Sequence, residues 1–216
     1  LENFKNKDYS NEDLIELGLI KRASTGNFFD VFRDRIIFPI YNQNQNIVGF
    51  GGRALDGEST AKYINSQESK VFNKSREVYG LVSRGEKIRK KGFVILMEGY
   101  MDVLSAHKND FENAVASLGT AFTDEQAKLL KRYTNNIVIS YDNDEAGIKA
   151  TQRGIDILKN NELSAFVLDF SPWNDPDEYL SNNSTEEFEA IISNSKSSLQ
   201  FQIEQIQKKY SLDMEK

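Results

Sequence analysis

Four short apolar runs dominate the chain from residue 93 onward: FVILME (93–98), AVASLG (114–119), NIVISYD (136–142) and SAFVLDF (164–170). None alternates apolar with polar residues, so each predicts a strand buried on both faces. Helical stretches are expected between them, near 101–109, 124–134 and 145–160. The second opens on Thr123-Asp124-Glu125-Gln126, a capping-box pattern, and the third sets Ile148, Thr151, Ile155 and Leu158 on one helical face. Such alternation predicts an open, mainly parallel α/β sheet flanked by helices.

The first 92 residues have a different rhythm. Residues 10–23 read as a short helix capped by Ser10 or Asn11. Two β-rich runs, 36–41 and 46–55, separated by a short Asn/Gln stretch, predict a hairpin, and Pro39 places the first run at a sheet edge. Short irregular elements follow over 61–81, and the basic GEKIRKKG (85–92) reads as a helix closed by Gly92. The expected division is therefore an α+β part over 1–92, the α/β unit over 93–183 and a helical C-terminal segment over 184–216. Ser184 caps one helix of that last segment, and 197–209 reads as a helical tail.

Composition narrows the chemistry. The 216 residues include no cysteine and a single histidine, His107. Disulfides, thiolate zinc sites, cysteine nucleophiles and His-based metal sites are thereby excluded from this stretch of chain, and a reducing cytoplasm is the compartment that fits. No apolar run approaches the roughly 20 residues of a membrane span, and Leu1-Glu2-Asn3 shows neither the basic nor the apolar region expected of a signal peptide. A first residue other than Met is what an excised fragment would show. Charge is divided unevenly: 16 basic residues stand against 12 acidic through residue 93, and 11 against 21 thereafter. A basic part joined to an acidic one suits a metal-dependent enzyme acting on a polyanion, although acids that merely solvate helices give the same balance.

The acids are placed with a pattern. Glu98, Asp142 and Asp175 stand at or just beyond the ends of predicted strands, where open parallel sheets bind ligands. Asp144 and Asp177 follow at two-residue spacing, which turns paired side chains the same way on extended backbone. Asp102 falls one helical turn after Glu98. Gly99 allows a tight departure from its strand, and Gly147 allows close packing of the following helix. A single D-x-D pair is commonly a turn or a cap, and Asp175-Pro176-Asp177-Glu178 is also what a helix start requires. Six carboxylates on one rim, with no His or Cys, would instead select a hard cation, Mg²⁺ or Mn²⁺.

At this point the residues resemble a known family. EGYMDV (98–103), AVASLGTAFTDEQ (114–126), YDNDEAG (141–147) and NDPDEYL (174–180) are similar to the topoisomerase–primase (TOPRIM) fold of bacterial replicative DNA primases. The upstream FRDRIIFPI (32–40), VGFGGRAL (48–55), AKYINSQES (61–69) and VFNKSREVYGL (71–81) resemble the N-terminal subdomain of the same family's RNA polymerase domain. The likeness runs over roughly 32–180. It implies that Glu98, Asp142 and Asp144 are the main catalytic and metal-binding acids, with Asp102, Asp175 and Asp177 completing the cluster. It also implies that Arg35, Arg53, Lys62, Tyr63, Asn65 and Lys74 belong to a template and nucleotide groove. Asn143 stands where the family usually has Gly, and Ala61 and Gln67 replace typical prolines.

The implied activity is synthesis of short RNA primers on single-stranded DNA from ribonucleoside triphosphates, with more than one Mg²⁺ or Mn²⁺ ion. A primase of this kind would carry a zinc-binding domain, which a chain without cysteine does not hold, and a domain that engages the replicative helicase. No membrane partner is implied. Topoisomerases and TOPRIM nucleases share the acids, and a non-catalytic nucleic-acid-binding TOPRIM module is the remaining alternative. Gly49, Gly51 and Gly52 beside Arg53 suit either close approach of a polynucleotide or a β-bulge.

Overall fold

A computed structural model describes residues 9–55, 61–82 and 84–214. Two compact units divide the chain, Leu1–Glu77 and Val78–Lys216.

In the first unit, helix α1 (Asn11–Glu16) is started by a reciprocal cap: the Asp13 N–H donates to Ser10 Oγ at 3.0 Å, and the Ser10 N–H donates to Asp13 Oδ2 at 3.1 Å. The expected helix over 10–23 is cut short. Gly18 adopts φ +67°, the left-handed conformation that ends helices, and the chain turns into β1 (Ile20–Arg22), antiparallel to β2 (Phe28–Asp30). Strands β3 (Arg35–Tyr41), β4 (Ile47–Ala54) and β5 (Tyr63–Asn65) then form an antiparallel sheet in that order. Pro39 lies on the edge strand, opposite Phe50, where its missing N–H removes no ladder bond from a central strand.

The second unit holds helices α2 (Gly85–Lys91), α3 (Tyr100–Lys108), α4 (Asp124–Lys131), α5 (Glu145–Asn160), α6 (Pro176–Asn182), α7 (Thr185–Ser193) and α8 (Ser198–Met214). Its strands are β6 (Val94–Met97), β7 (Ala114–Ala116), β8 (Asn136–Ser140), β9 (Ser164–Val167) and β10 (Lys196–Ser197). The sheet order is β10-β9-β8-β6-β7, with β9, β8, β6 and β7 parallel and β10 antiparallel at the edge. Alternation along each strand splits the core. Val94, Leu96, Ile137 and Ile139 face Ile88, Leu130, Ile155, Leu158 and Phe201, from α2, α4, α5 and α8. Ile95, Met97 and Val138 face Val103, Ala106, Tyr179 and Phe188, from α3, α6 and α7. Burial on both faces is why these strands carry no polar alternation.

The division by compactness falls upstream of residue 92, because Val78, Leu81 and Ile88 are buried in the core of the second unit. Tyr79 also pairs with Ala116 beyond the edge of β7. The helix over 198–214 begins as part of the fold rather than as a tail, with Phe201 buried and Lys196 bridging Asp169 at 2.9 Å and Glu204 at 2.6 Å.

Candidate functional site

Strand β6 pairs with β7 on one side and β8 on the other, and the connections leaving β6 and β8 run through α3 and α5, on opposite faces of the sheet. That is the arrangement in which a crevice opens at the carboxyl ends of the strands. Glu98 directly follows β6 and Asp142 lies just past β8. The Asp142 N–H donates to Glu98 Oε1 at 3.3 Å, so the first two acids meet across neighbouring strands.

Each remaining acid except Asp177 is also fixed by a backbone N–H. Asp144 is the N-cap of α5, accepting from the Gly147 N–H at 2.7 Å, and Asp175 is the N-cap of α6, accepting from the Glu178 N–H at 2.7 Å. Asp102, in the first turn of α3, accepts from the Gly99 N–H at 2.9 Å. Glycine relieves crowding at two of these joints, and only at Gly147 is the obstacle backbone. A Cβ on Gly99 would stand 3.0 Å from Asp102 Oδ2, and one on Gly147 would fall on the carbonyl oxygen of Asp142. For Asp102, Asp144 and Asp175, capping and site-building are thus the same placement: a helix N-terminus holds the carboxylate at the rim.

The electrostatics join the acids from all three segments. Burial raises the Asp102 carboxyl to about 7, with Asp142, Asp175 and Asp177 pushing the same way against the Gly99 hydrogen bond. Burial, then Asp175 and Asp144, raises Asp142 to about 6. Glu98 is also raised, by burial first and then by Asp142 and Asp144. The charged groups that act on these three are other carboxylates, not lysines or arginines. Among the described residues no three acidic or His side chains stand close enough to form a ready-made ligand cage. The donors nevertheless fit a hard divalent cation: oxygen only, mutually repelling, and on a rim that ions can reach. Glu98, Asp102, Asp142 and Asp144 would hold it, with Asp175 and Asp177 on the side of α6.

Beside Glu98 the rim deepens into a cleft of about 400 Å³. One wall is the loop after β7, with Ser117, Thr120 and Ala121; the other is α5, with Ala146, Ala150 and Gly154, and Arg153 at the same wall. Tyr141 and Phe122 are buried beneath. Composition and motif spacing did not single out these residues. The available signal was the four-residue interval of small side chains on α5, which leaves one helix face open.

In the first unit, five of the six expected basic or polar residues gather around β4 and β5. Arg53 pairs in register with Tyr63, its guanidinium 5.9 Å from the ring, and the Lys62 ammonium lies 6.0 Å from the same ring. Asn65 follows on the same face of β5 as Tyr63. Arg35 Nη1 donates to the carbonyls of Gly52 at 3.1 Å and Lys62 at 3.4 Å. Lys74 lies outside this sheet, and its N–H donates to Glu68 Oε1 at 2.9 Å. The glycines of β4 serve packing: a Cβ on Gly49 would stand 3.1 Å from the Phe72 ring, and one on Gly52 2.8 Å from the Phe32 ring.

Comparison with known proteins places these features. Residues 1–84 match the family model of the DNA primase catalytic core, N-terminal domain, and residues 95–180 match a Toprim-like model. The DNA primase of Clostridium acetobutylicum is 43% identical over 203 residues, which cover 94% of this chain and 34% of that protein. A solved DnaG catalytic core aligns with a TM-score of 0.85 and 31% identity over 97% of this chain and 67% of its own. A DnaG primase catalytic domain bound to single-stranded DNA aligns with a TM-score of 0.86 and 31% identity, covering 95% of this chain and 65% of its own. The chain spans about a third of the length of the curated relatives it matches.

Proposed function

The chain belongs to the bacterial DNA primase catalytic-core family, and from that premise we propose that it forms the polymerising centre of a primase, a DNA-directed RNA polymerase that makes short primers on single-stranded DNA. The observation that carries this reading is the rim of coupled carboxylates at the ends of β6 and β8, with Asp102 and Asp142 holding protons far above their ordinary range. Burial is the larger cause and repulsion among the carboxylates adds to it, and acids held in that way mark a place where positive charge is favoured.

In the proposed reaction the 3′-hydroxyl of the growing strand attacks the α-phosphate of a ribonucleoside triphosphate, the α–β phosphoanhydride bond breaks, and pyrophosphate leaves. A divalent ion, when bound, supplies a lowered hydroxyl pKa and offsets charge on the transferred phosphoryl group. Asp142 and Asp144 fix the geometry through the strand end and the first turn of α5. Glu98, whose proton affinity is raised, suits receipt of the hydroxyl proton at the mouth of the cleft. Around β4 and β5, Arg53 and Lys62 beside the Tyr63 ring suit a phosphate-and-base contact with the template strand, as cations and stacking rings do in single-strand binders. A replicative helicase would engage through sequence other than these residues, and bacterial cytoplasm is the compartment this reading implies.

The test is extension of an annealed RNA primer on a DNA template by the 216-residue protein with ribonucleoside triphosphates and Mn²⁺. Incorporation by the wild type and its loss in Asp142→Ala are expected. Relaxation or nicking of supercoiled plasmid without incorporation would instead assign the acids to phosphodiester cleavage.

A further inference from the structure

The cleft beside Glu98 contains groups that the carboxylate rim does not use. Arg153 is exposed on its α5 wall and has no ion pair or hydrogen bond among the described residues, although Glu145 and Lys149 pair with each other on the same helix. Ser117, only 9% exposed, lines the opposite wall with no hydrogen-bond partner among those residues. Ala146, Ala150 and Gly154 keep the α5 wall free of bulk along its length. A buried hydroxyl and an unpaired guanidinium on opposite walls of a cleft otherwise lined largely by small and aromatic side chains are polar groups by which such sites orient a ligand.

Volume and charge select the ligand. About 400 Å³ is near the low end of ligand pockets, roughly 300–1,000 Å³, which suits the sugar and phosphate of one nucleotide and leaves its base free to pair with the template. One guanidinium matches the single charge of a phosphodiester. A triphosphate would bring several charges to a cleft that offers one cation and ends on the Glu98 carboxylate. We propose that this cleft seats the sugar and phosphodiester of the growing strand's 3′-terminal nucleotide, with Arg153 paired to the phosphodiester and Ser117 bonded to a sugar or phosphate oxygen. The strand's end then lies beside Glu98. This assignment rests on the polymerase reading above and makes Arg153 a strand-positioning residue.

The experiment is primer extension by the 216-residue protein in Mn²⁺, with KM measured separately for primer–template and for nucleotide, in wild type, Arg153→Ala and Arg153→Lys. Arg153→Ala is expected to raise the primer–template KM about tenfold, to leave the nucleotide KM unchanged, and to flatten the log–log salt dependence by about 0.7–0.9; Arg153→Lys recovers most of the loss. Circular dichroism confirms that the exposed-site variants fold. An Arg153→Ala enzyme with wild-type primer–template KM overturns the assignment. So does one whose defect lies wholly in the nucleotide KM, which gives the cleft to the triphosphate. A wild type that incorporates nothing sinks the polymerase reading, and the cleft assignment with it; a wild type that incorporates while Arg153→Ala matches it sinks the cleft assignment alone.

Discussion

Asp142 and Glu98 belong to different strands, yet the backbone N–H of one donates to the carboxylate of the other at 3.3 Å, across the junction of β6 and β8. The bond gives Glu98 a fixed position relative to the strand end that carries Asp142. It also sets two negative side chains side by side, and their repulsion adds to burial in raising Glu98. A site is thus held together by its backbone against the charges of its own side chains.

Substitutions at Asp142 and Asp144 are expected to separate those two contributions. Asp144 caps a helix of 16 residues, so Asp144→Ala loses the Gly147 hydrogen bond as well as a carboxylate. A stability loss of about 1 kcal/mol is expected there. Asp142→Ala removes repulsion and no helix cap, and should melt at or above the wild-type temperature in EDTA. Both variants should lose nucleotide incorporation. Equal melting temperatures would show that the cap is not worth what its geometry suggests.

Stability should depend on pH in the direction opposite to most carboxylates. The Asp102 carboxyl is raised from 3.8 to about 7 in the folded chain. Between those values the native state holds a proton that the unfolded chain has released, so this group's contribution falls as pH rises through that window. Asp102→Asn keeps an acceptor for the Gly99 N–H and removes the charge. It should be more stable than wild type at pH 8 by about 1–3 kcal/mol, a figure reduced from the full linkage value because the rim admits water. The gap should close near pH 4. Urea melts in EDTA across pH 4–8 would show it, and a gap that widens toward acid would contradict the direction of the shift.

Binding of Mn²⁺ should release protons. At pH 6.5 Asp102 is largely protonated and Asp142 partly so, and a cation must displace those protons to reach the oxygens. Calorimetric heats at pH 6.5 should therefore differ between buffers of different ionisation enthalpy, and converge at pH 8.5. Identical heats at the lower pH would mean that the raised carboxylates are not the ligands.

Two glycines on α5 should respond oppositely to alanine. A Cβ at Gly147 collides with the Asp142 carbonyl, so Gly147→Ala should cost about 1–3 kcal/mol as an overpacked contact and shift the acids with it. A Cβ at Gly154 would sit 3.4 Å from Ile139 Cδ1, an ordinary packing distance. Gly154→Ala should gain up to about 1 kcal/mol from helix propensity. Denaturant melts of the pair decide the matter.

The parallel sheet was legible because its strands are buried on both faces, and nothing but an unbroken apolar run satisfies that. The strand-end positions of Glu98 and Asp142 were legible because these acids closely follow such runs. The helix starts at Thr123 and Ser184 were legible because capping is local chemistry. What escaped depended on contacts remote in sequence. Helix α1 stops at Gly18 in order to pair Ile20–Arg22 with Phe28–Asp30, and strands of three residues leave no periodic trace. Gly49 and Gly52 are explained by the rings of Phe72 and Phe32, which neither spacing nor composition connects to them. Arg153 escaped because an arginine on a helix surface is unremarkable until its face is seen to border a cleft.

The contact between Gly147 and Asp142 works as a ruler. From Asp142 through the cap at Asp144 to Gly147, every residue is counted, because inserting one would turn α5 by about 100°. That rotation would withdraw the glycine from the carbonyl beneath it, carry Arg153 off the cleft wall and aim a different set of side chains at the sheet. Length can vary in the turn between β3 and β4 at little cost. In these six residues a change of length would dismantle the site while leaving every acid in the chain.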